Sequence, residues 1–169
     1  MGYEKRRKMR RFSFSMHPIL RFPWEILLFL CGIGLILGIV TRNIDAILPS
    51  LVGGLILFLF FSMKRFSFID ITDNSLRIKL GCLATSEIRF SNIKDVSTAT
   101  HKAIYGIGVR ACGRGETAIV TNTGDVVRLQ FREKGSLKLF GIFKISFISL
   151  RLSPESQTEF IEILQFRIH

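Results

Sequence analysis

The stretch YGIGVRACGRGE, residues 105–116, gathers the residue types that hold anions. Gly106, Gly108, Gly113 and Gly115 let a backbone turn its N–H groups inward, and Arg110 and Arg114 add positive charge. These are the ingredients of an anion-binding nest. Gly108-x-x-x-x-Gly113-Arg114 lacks the Lys-Ser/Thr of a phosphate-binding loop, however, and no helical pattern follows it. The segment reads as a flexible inter-strand loop, with a contact site for headgroups or a partner as the sharper alternative.

No other constellation points to a reaction. There is no G-x-S-x-G or H-E-x-x-H. Cys31, Cys82 and Cys112 are far apart, which argues against a disulfide framework or a zinc site. Cys31 falls in an apolar run and should behave as a small hydrophobe. His17, His101 and His169 show no ligand spacing. His101 has no evident Cys, Ser or acid beside it and is expected on a surface loop. Asp70 and Asp73 fall on a strand and its turn, where Asp73 stabilises the turn. No catalytic, cofactor-binding or metal-binding residue is assigned, and a non-enzymatic protein is expected.

The chain has 169 residues, with 24 Lys+Arg against 13 Asp+Glu. That balance suggests an anionic neighbour, nucleic acid or a phospholipid surface. A content of 48% hydrophobic residues is unusual for a nucleic-acid binder. Aromatics interleaved with basic residues for base stacking are not evident outside the membrane boundaries, so no nucleic-acid partner is expected.

The apolar residues concentrate in two runs. Residues 26–40, ILLFLCGIGLILGIV, and 46–63, AILPSLVGGLILFLFFSM, carry no charge. With FPWE added, the first reaches the roughly 20 residues that a helix needs to cross the hydrocarbon core. Spans at about 22–41 and 46–63, joined by a short link, predict a transmembrane hairpin. A cleaved signal peptide is a poorer reading, because no A-x-A-like site follows and a second span comes at once. Gly34-x-x-x-Gly38 and Ser50-x-x-x-Gly54 are small-residue pairs that let two helix backbones approach. Glu25 suits the first turn after Pro23, complementing the helix dipole or pairing with Arg21. No partner charge for it is evident in the second span, which argues against a transport pathway.

Charge sets the expected orientation. Lys5, Arg6, Arg7, Lys8, Arg10, Arg11 and Arg21 precede the first span; Arg42 alone, beside Asp45, separates the two; Lys64 and Arg65 follow the second. The positive-inside rule places both termini in the cytoplasm and the protein in the cell membrane. MRRFSF (9–14) and MKRFSF (63–68) then fall at one membrane face. The repeat reads as shared juxtamembrane composition, with basic residues on headgroups and phenylalanines at the acyl boundary. The first copy would lie in a basic tail, residues 1–21, and the second would lead into a strand. A basophilic kinase site at Arg10-Arg11-Phe12-Ser13 is the sharper alternative.

Residues 64–169 form the third region. RFSFIDIT (65–72), LRIKL (76–80), EIRF (87–90) and SFISLRL (146–152) have strand composition. Leu76, Ile78 and Leu80 should face inward, and Arg77 and Lys79 outward. TAIVTNTGDVVRLQF (117–131) reads as a hairpin turning at 122–125, with Arg128, Gln130 and Arg132 on one face. Ser153 and Pro154 suit the start of a helix carrying Phe160, Ile161, Leu164 and Ile168 at helical spacing. Five to seven short strands and one amphipathic helix are expected.

EIRFSNIKDV (87–96), ISLRL (148–152) and SPESQTEFIEIL (153–164), following two spans, resemble the bacterial pleckstrin-homology-like family of small membrane proteins. The resemblance implies a small barrel of two near-orthogonal antiparallel sheets capped by the C-terminal helix. It also implies an interaction or assembly module that docks a protein partner or a second copy. The sequence departs from lipid-binding relatives at Asp73-Asn74, where an acid stands in place of a basic cluster, and in having no Trp in the closing helix. A module reading anionic phospholipid headgroups is the alternative. Its candidate contacts are Lys64, Arg65, Arg77, Lys79, Arg110, Arg114, Arg128 and Arg132, provided they gather on one face.

Overall fold

The computed structural model describes residues 10–113 and 115–168. Lys5 to Lys8 and Arg114 therefore lie outside the described residues. Two antiparallel helices, α2 (Trp24–Thr41) and α3 (Ile44–Arg65), follow the short α1 (Pro18–Arg21). With 18 and 22 residues at about 1.5 Å each, they run about 27 Å and about 33 Å, and both are long and apolar enough to cross a membrane. Apart from Met63 and the neighbouring Phe60 at the end of α3, their apolar side chains are mostly exposed and lie outside the core. Such a surface is costly in water and suited to lipid. The connection is tight: Arg42 closes α2 in the left-handed region, and the Asn43 side chain caps α3 by accepting from the Asp45 N–H.

The small residues lie where the helices meet. A Cβ on Gly34 would come within 2.8 Å of Ser50 Oγ, and one on Gly38 within 2.9 Å of Ile47. Gly54 faces Cys31, whose Cβ a side chain there would meet at 3.7 Å. Larger residues at Gly34 or Gly38 would force the backbones apart.

The first described segment is part of the sheet and not a basic tail. β1 (Arg10–Phe12) pairs antiparallel with β2 (Phe68–Ile71), Arg11 opposite Asp70 and Phe12 opposite Ile69. The chain then crosses to the far side of the sheet. Ser13 C=O accepts from Glu155, Ser15 N–H donates to Ser153, and His17 N–H donates to Thr121. The reason is local: RFSF alternates, so Phe12 and Phe14 share one face and both are buried in the core. The rings serve the protein interior instead of the acyl boundary.

After β2 come β3 (Ser75–Leu80), β4 (Ala84–Arg89), β5 (Ile93–His101), β6 (Gly108–Gly113), β7 (Glu116–Val120), β8 (Gly124–Leu139) and β9 (Phe143–Leu152). The order is β1-β2-β3-β4-β8-β9-β7-β6, with β5 also on β8. β8 is long and changes partner along its length. Its first half pairs with β5 and its last residues with β4.

Two expectations about this sheet need correction. β7 and β8 do not form a hairpin. β9 lies between them, antiparallel to β8 and parallel to β7. The start of the expected turn is held elsewhere: Asn122 Nδ2 donates to Ser15 Oγ, and just before it Thr121 donates from its N–H to Ser153 Oγ and from its hydroxyl to Ser15 C=O. The connection thus crosses the end of β9. The result is one open, mixed, nine-stranded sheet, and not two purely antiparallel ones. Its gap is bridged by the segment 13–17.

The outward and inward assignments on β3 and β8 agree with the structure. Leu76, Ile78, Leu80, Val127 and Leu129 are buried, and Arg77 is exposed. The closing helix α4 (Gln157–Ile168) packs Phe160 and Leu164 onto the core, Phe160 edge-on to Phe12 with centroids 5.3 Å apart. It begins later than Ser153-Pro154 suggested. Ser153 is buried against Thr121, and Pro154 bridges to Phe14, so this pair continues extended backbone.

Candidate functional site

The end of the sheet nearest the helices is fixed to them by several contacts. Ser62 and Met63, in the last turns of α3, are buried. The Cys82 N–H, in the β3–β4 turn, donates to Ser62 Oγ at 2.7 Å. Gly81 has φ +54°, and a Cβ there would sit 2.7 Å from the Ser62 backbone, so both conformation and space call for glycine. Lys64 Nζ lies 3.0 Å from Glu25 Oε1 and joins the two helices at their base. Glu25 thus finds its partner at the end of the second span, a pairing that linear spacing along one helix could not show. Trp24 stacks on Phe60 beside it, with centroids 5.0 Å apart. Arg65, the last residue of α3, is exposed.

The remaining described basic candidates meet different partners. Arg77 Nε is 3.3 Å from Glu87, its cross-strand neighbour. The Lys79 ammonium sits 5.9 Å from the Phe68 ring. Arg128 Nε is 2.9 Å from Glu116. Arg110 is exposed and donates from Nε to Ile107 C=O, while Arg132 is exposed on β8. The glycine-rich stretch is not a loop either: residues 108–113 form edge strand β6, paired with β7.

Glu116 organises a polar cluster on β7, β8 and β9. It receives Arg151 at 2.7 Å, Arg128 at 2.9 Å and the Ser149 hydroxyl at 3.2 Å. Burial would push its carboxyl up, but the Arg151 hydrogen bond and the charges of both arginines outweigh this and hold it below the usual range. The same carboxylate raises Arg151 further. Burial pushes the nearby Cys112 thiol up, which disfavours the thiolate that a nucleophile needs. His101 is buried, not on a surface loop. One ring nitrogen is 2.9 Å from Gly106 C=O, and Nδ1 has no hydrogen-bond partner. Arg151 donates to Thr100 C=O and locks the strand beside it. The cluster ties strands together.

A concave surface lies at the opposite end of the sheet, beside the β2–β3 turn. It is a groove of about 1280 Å³ between that turn and α4, with Asp73, Glu87, Arg89, Phe166 and Arg167 on its walls. Its charges are of both signs and partly paired: Arg167 lies 3.7 Å from Asp73. The Ser75 hydroxyl, with Arg77, holds Glu87 below the usual carboxylate range, so it is ionised at neutral pH. Phe166 is 84% exposed at the rim. Among the described residues, no group of three or more His, Cys, Asp or Glu is placed to hold a metal ion.

Comparison of the chain with protein-family models, with curated proteins and with solved structures returned no match.

Sequence reasoning missed the strap at 13–17, the Glu25–Lys64 pair and the β8–β9 turn. The first had a visible signal, the period-2 alternation of RFSF. The turn had one too, in KLFGIFK (138–144), an apolar run centred on Gly141 between two lysines.

Proposed function

We propose that this protein is a non-enzymatic, membrane-anchored interaction module, a pleckstrin-homology-like sheet domain held at the cytoplasmic face to dock a protein partner or a second copy. One observation carries the reading. β1 leads to the hairpin through the segment 13–17, which is bonded to the ends of β9 and β7, and through α1; the chain returns from the hairpin into β2, the paired neighbour of β1. The domain is thereby a continuation of the hairpin with no free linker, and it carries its mixed-charge groove outward at a fixed height. Positive charge on either side of the hairpin in sequence (Arg10 and Arg11 before it, Lys64 and Arg65 after it) supports the cytoplasmic side.

The groove favours a protein over a lipid headgroup. Its acids Asp73 and Glu87 would repel phosphate, whereas mixed charges around an exposed aromatic suit a protein surface. Arg77 and Arg128 are already engaged by carboxylates, which weakens a headgroup site built from them. The test is photocrosslinking in intact cells with benzoylphenylalanine at Phe166. The reading expects a discrete adduct, at the mass of a dimer or of one other protein. Only uncrosslinked chain, with Phe166 at the groove rim, would count against a partner there.

A further inference from the structure

The β8–β9 turn carries an apolar tip that the fold itself does not use. Phe140, Ile142 and Phe143 are 51%, 79% and 64% exposed. The turn is closed by the Ile142 N–H donating to Leu139 C=O. Phe140 has φ +49° and Gly141 φ +73°. Asn or Gly would adopt the first of these conformations with less strain, so turn formation does not account for the aromatic ring.

The lysines add a second observation. Lys138 and Lys144 face each other directly across the two strands. Like charges in that position are destabilising. Among the described residues neither takes part in an ion pair. An anionic neighbour outside the chain would relieve the repulsion.

Depth is the third. The Phe140 N–H donates to Leu83 C=O, in the turn that docks on α3. Leu139 and Phe140 share a groove of about 340 Å³ with Ile56, Leu59 and Phe60 of α3. Ile56 precedes Lys64 by two turns, about 12 Å along the helix axis. The tip therefore lies alongside the apolar part of α3 and not above its charged end.

We propose that the β8–β9 tip is a membrane-inserted wedge: Phe140, Ile142 and Phe143 enter the acyl region of the leaflet that faces the sheet domain, and Lys138 and Lys144 engage anionic phospholipid headgroups above them. This rests on α2 and α3 spanning the bilayer. Aromatic and aliphatic residues below a basic pair match the composition of interfacial anchors. The wedge gives the domain a third point of attachment, besides the two hairpin arms.

Trp24 is the only tryptophan, so a Trp24→Phe background permits a site-specific test in the full chain. The protein is reconstituted in phosphatidylcholine vesicles with or without phosphatidylglycerol, some with brominated acyl chains. Tryptophan is introduced singly by Ile142→Trp, by Val52→Trp in α3 and by Phe166→Trp at the distal groove. Phe143→Trp repeats the tip reading if Ile142→Trp does not fold. The wedge predicts that Ile142→Trp, like Val52→Trp, is quenched by brominated chains and shielded from iodide, while Phe166→Trp shows the reverse. It also predicts stronger bromolipid quenching of the tip in anionic vesicles, lost in Lys138→Gln/Lys144→Gln. Iodide quenching of the tip equal to that of Phe166→Trp, with Val52→Trp still in lipid, overturns the wedge and leaves the spanning hairpin intact. Val52→Trp outside lipid overturns both. Equal tip quenching in neutral and anionic vesicles overturns the role of the lysines.

Discussion

Arg11 and Asp70 face each other across β1 and β2, with Arg11 Nε 2.8 Å from one carboxylate oxygen and Nη2 3.0 Å from the other. The Asp70 side chain is 7% exposed and that of Arg11 63%, so the guanidinium covers the carboxylate from the solvent side. This bidentate contact fastens β1 to β2 on either side of the helical hairpin in sequence. It ties residues before the first long helix to residues after the second. The two RFSF copies thus precede and follow one helical hairpin in the chain.

The sheet domain should not fold without its N-terminal strand. A fragment starting at Lys64 lacks Phe12 and Phe14, each buried in the core. Removing one buried phenylalanine side chain costs about 3–5 kcal/mol, and a domain has only about 5–15 kcal/mol in total. Fragment 64–169 should be rapidly degraded in limited proteolysis, whereas the full chain in vesicles should give a stable protected core. Equal protection of the two would mean that β1 and the strap are dispensable.

Gly81 and Gly141 both have positive φ, yet they should respond differently to alanine. At Gly81 a Cβ collides with the Ser62 backbone, while at Gly141 nothing lies within 4 Å. Gly141→Ala should cost about 1–2 kcal/mol from conformation alone. Gly81→Ala should cost more and should also loosen the β3–β4 turn from α3. Thermal unfolding of the two variants in the same detergent checks the ranking.

The helix register gives a chemical test. A Cβ at Gly53 would sit 3.5 Å from Cys31 Sγ, while Leu55 points outward. Gly53→Cys should form a disulfide with Cys31 under mild oxidation, read by mass spectrometry of peptides. Leu55→Cys should not. Bridging of both to a similar extent would mean that the helices do not hold the observed face.

Glu116 sets an acid limit on stability. Its carboxyl lies below the usual range when folded, because the Arg151 hydrogen bond and the two arginine charges outweigh burial. A lowered folded value contributes stability that is complete above the unfolded value, about 4.3. That contribution fades as pH falls through the folded value. The melting temperature should drop between about pH 5 and pH 3, and Glu116→Gln should flatten that drop while lowering the plateau. An unchanged acid slope in Glu116→Gln would place the sensitivity elsewhere.

Local pattern revealed much of this molecule, and long-range pairing was the part it hid. The two apolar runs, the inward Leu76, Ile78 and Leu80, and the facing Gly34 and Ser50 follow from composition and period. The missed features join residues distant in sequence. Arg11 and Asp70 are separated by the whole helical hairpin, and β9 enters between β7 and β8 after a long excursion of β8. Alternation tells which residues turn inward but not which strand lies alongside. The burial of His101 is partly local, through the Gly106 carbonyl five residues on, and partly long-range, through its pairing with Gly124 of β8. Arg77 is exposed on β3 as its alternation implies, Arg128 is half-buried, and the engagement of the two with Glu87 and Glu116 depends on strand register.

The most direct test of the account is sidedness. In a chain without native cysteines, Asn43→Cys reports the link between the helices and Lys134→Cys reports the sheet domain. A membrane-impermeant maleimide is applied to intact cells, then to permeabilised ones. The account predicts labelling of Asn43→Cys in intact cells and of Lys134→Cys only after permeabilisation. Labelling of Lys134→Cys in intact cells, or release of the protein by alkaline carbonate, would contradict a hairpin that holds the sheet domain at the cytoplasmic face.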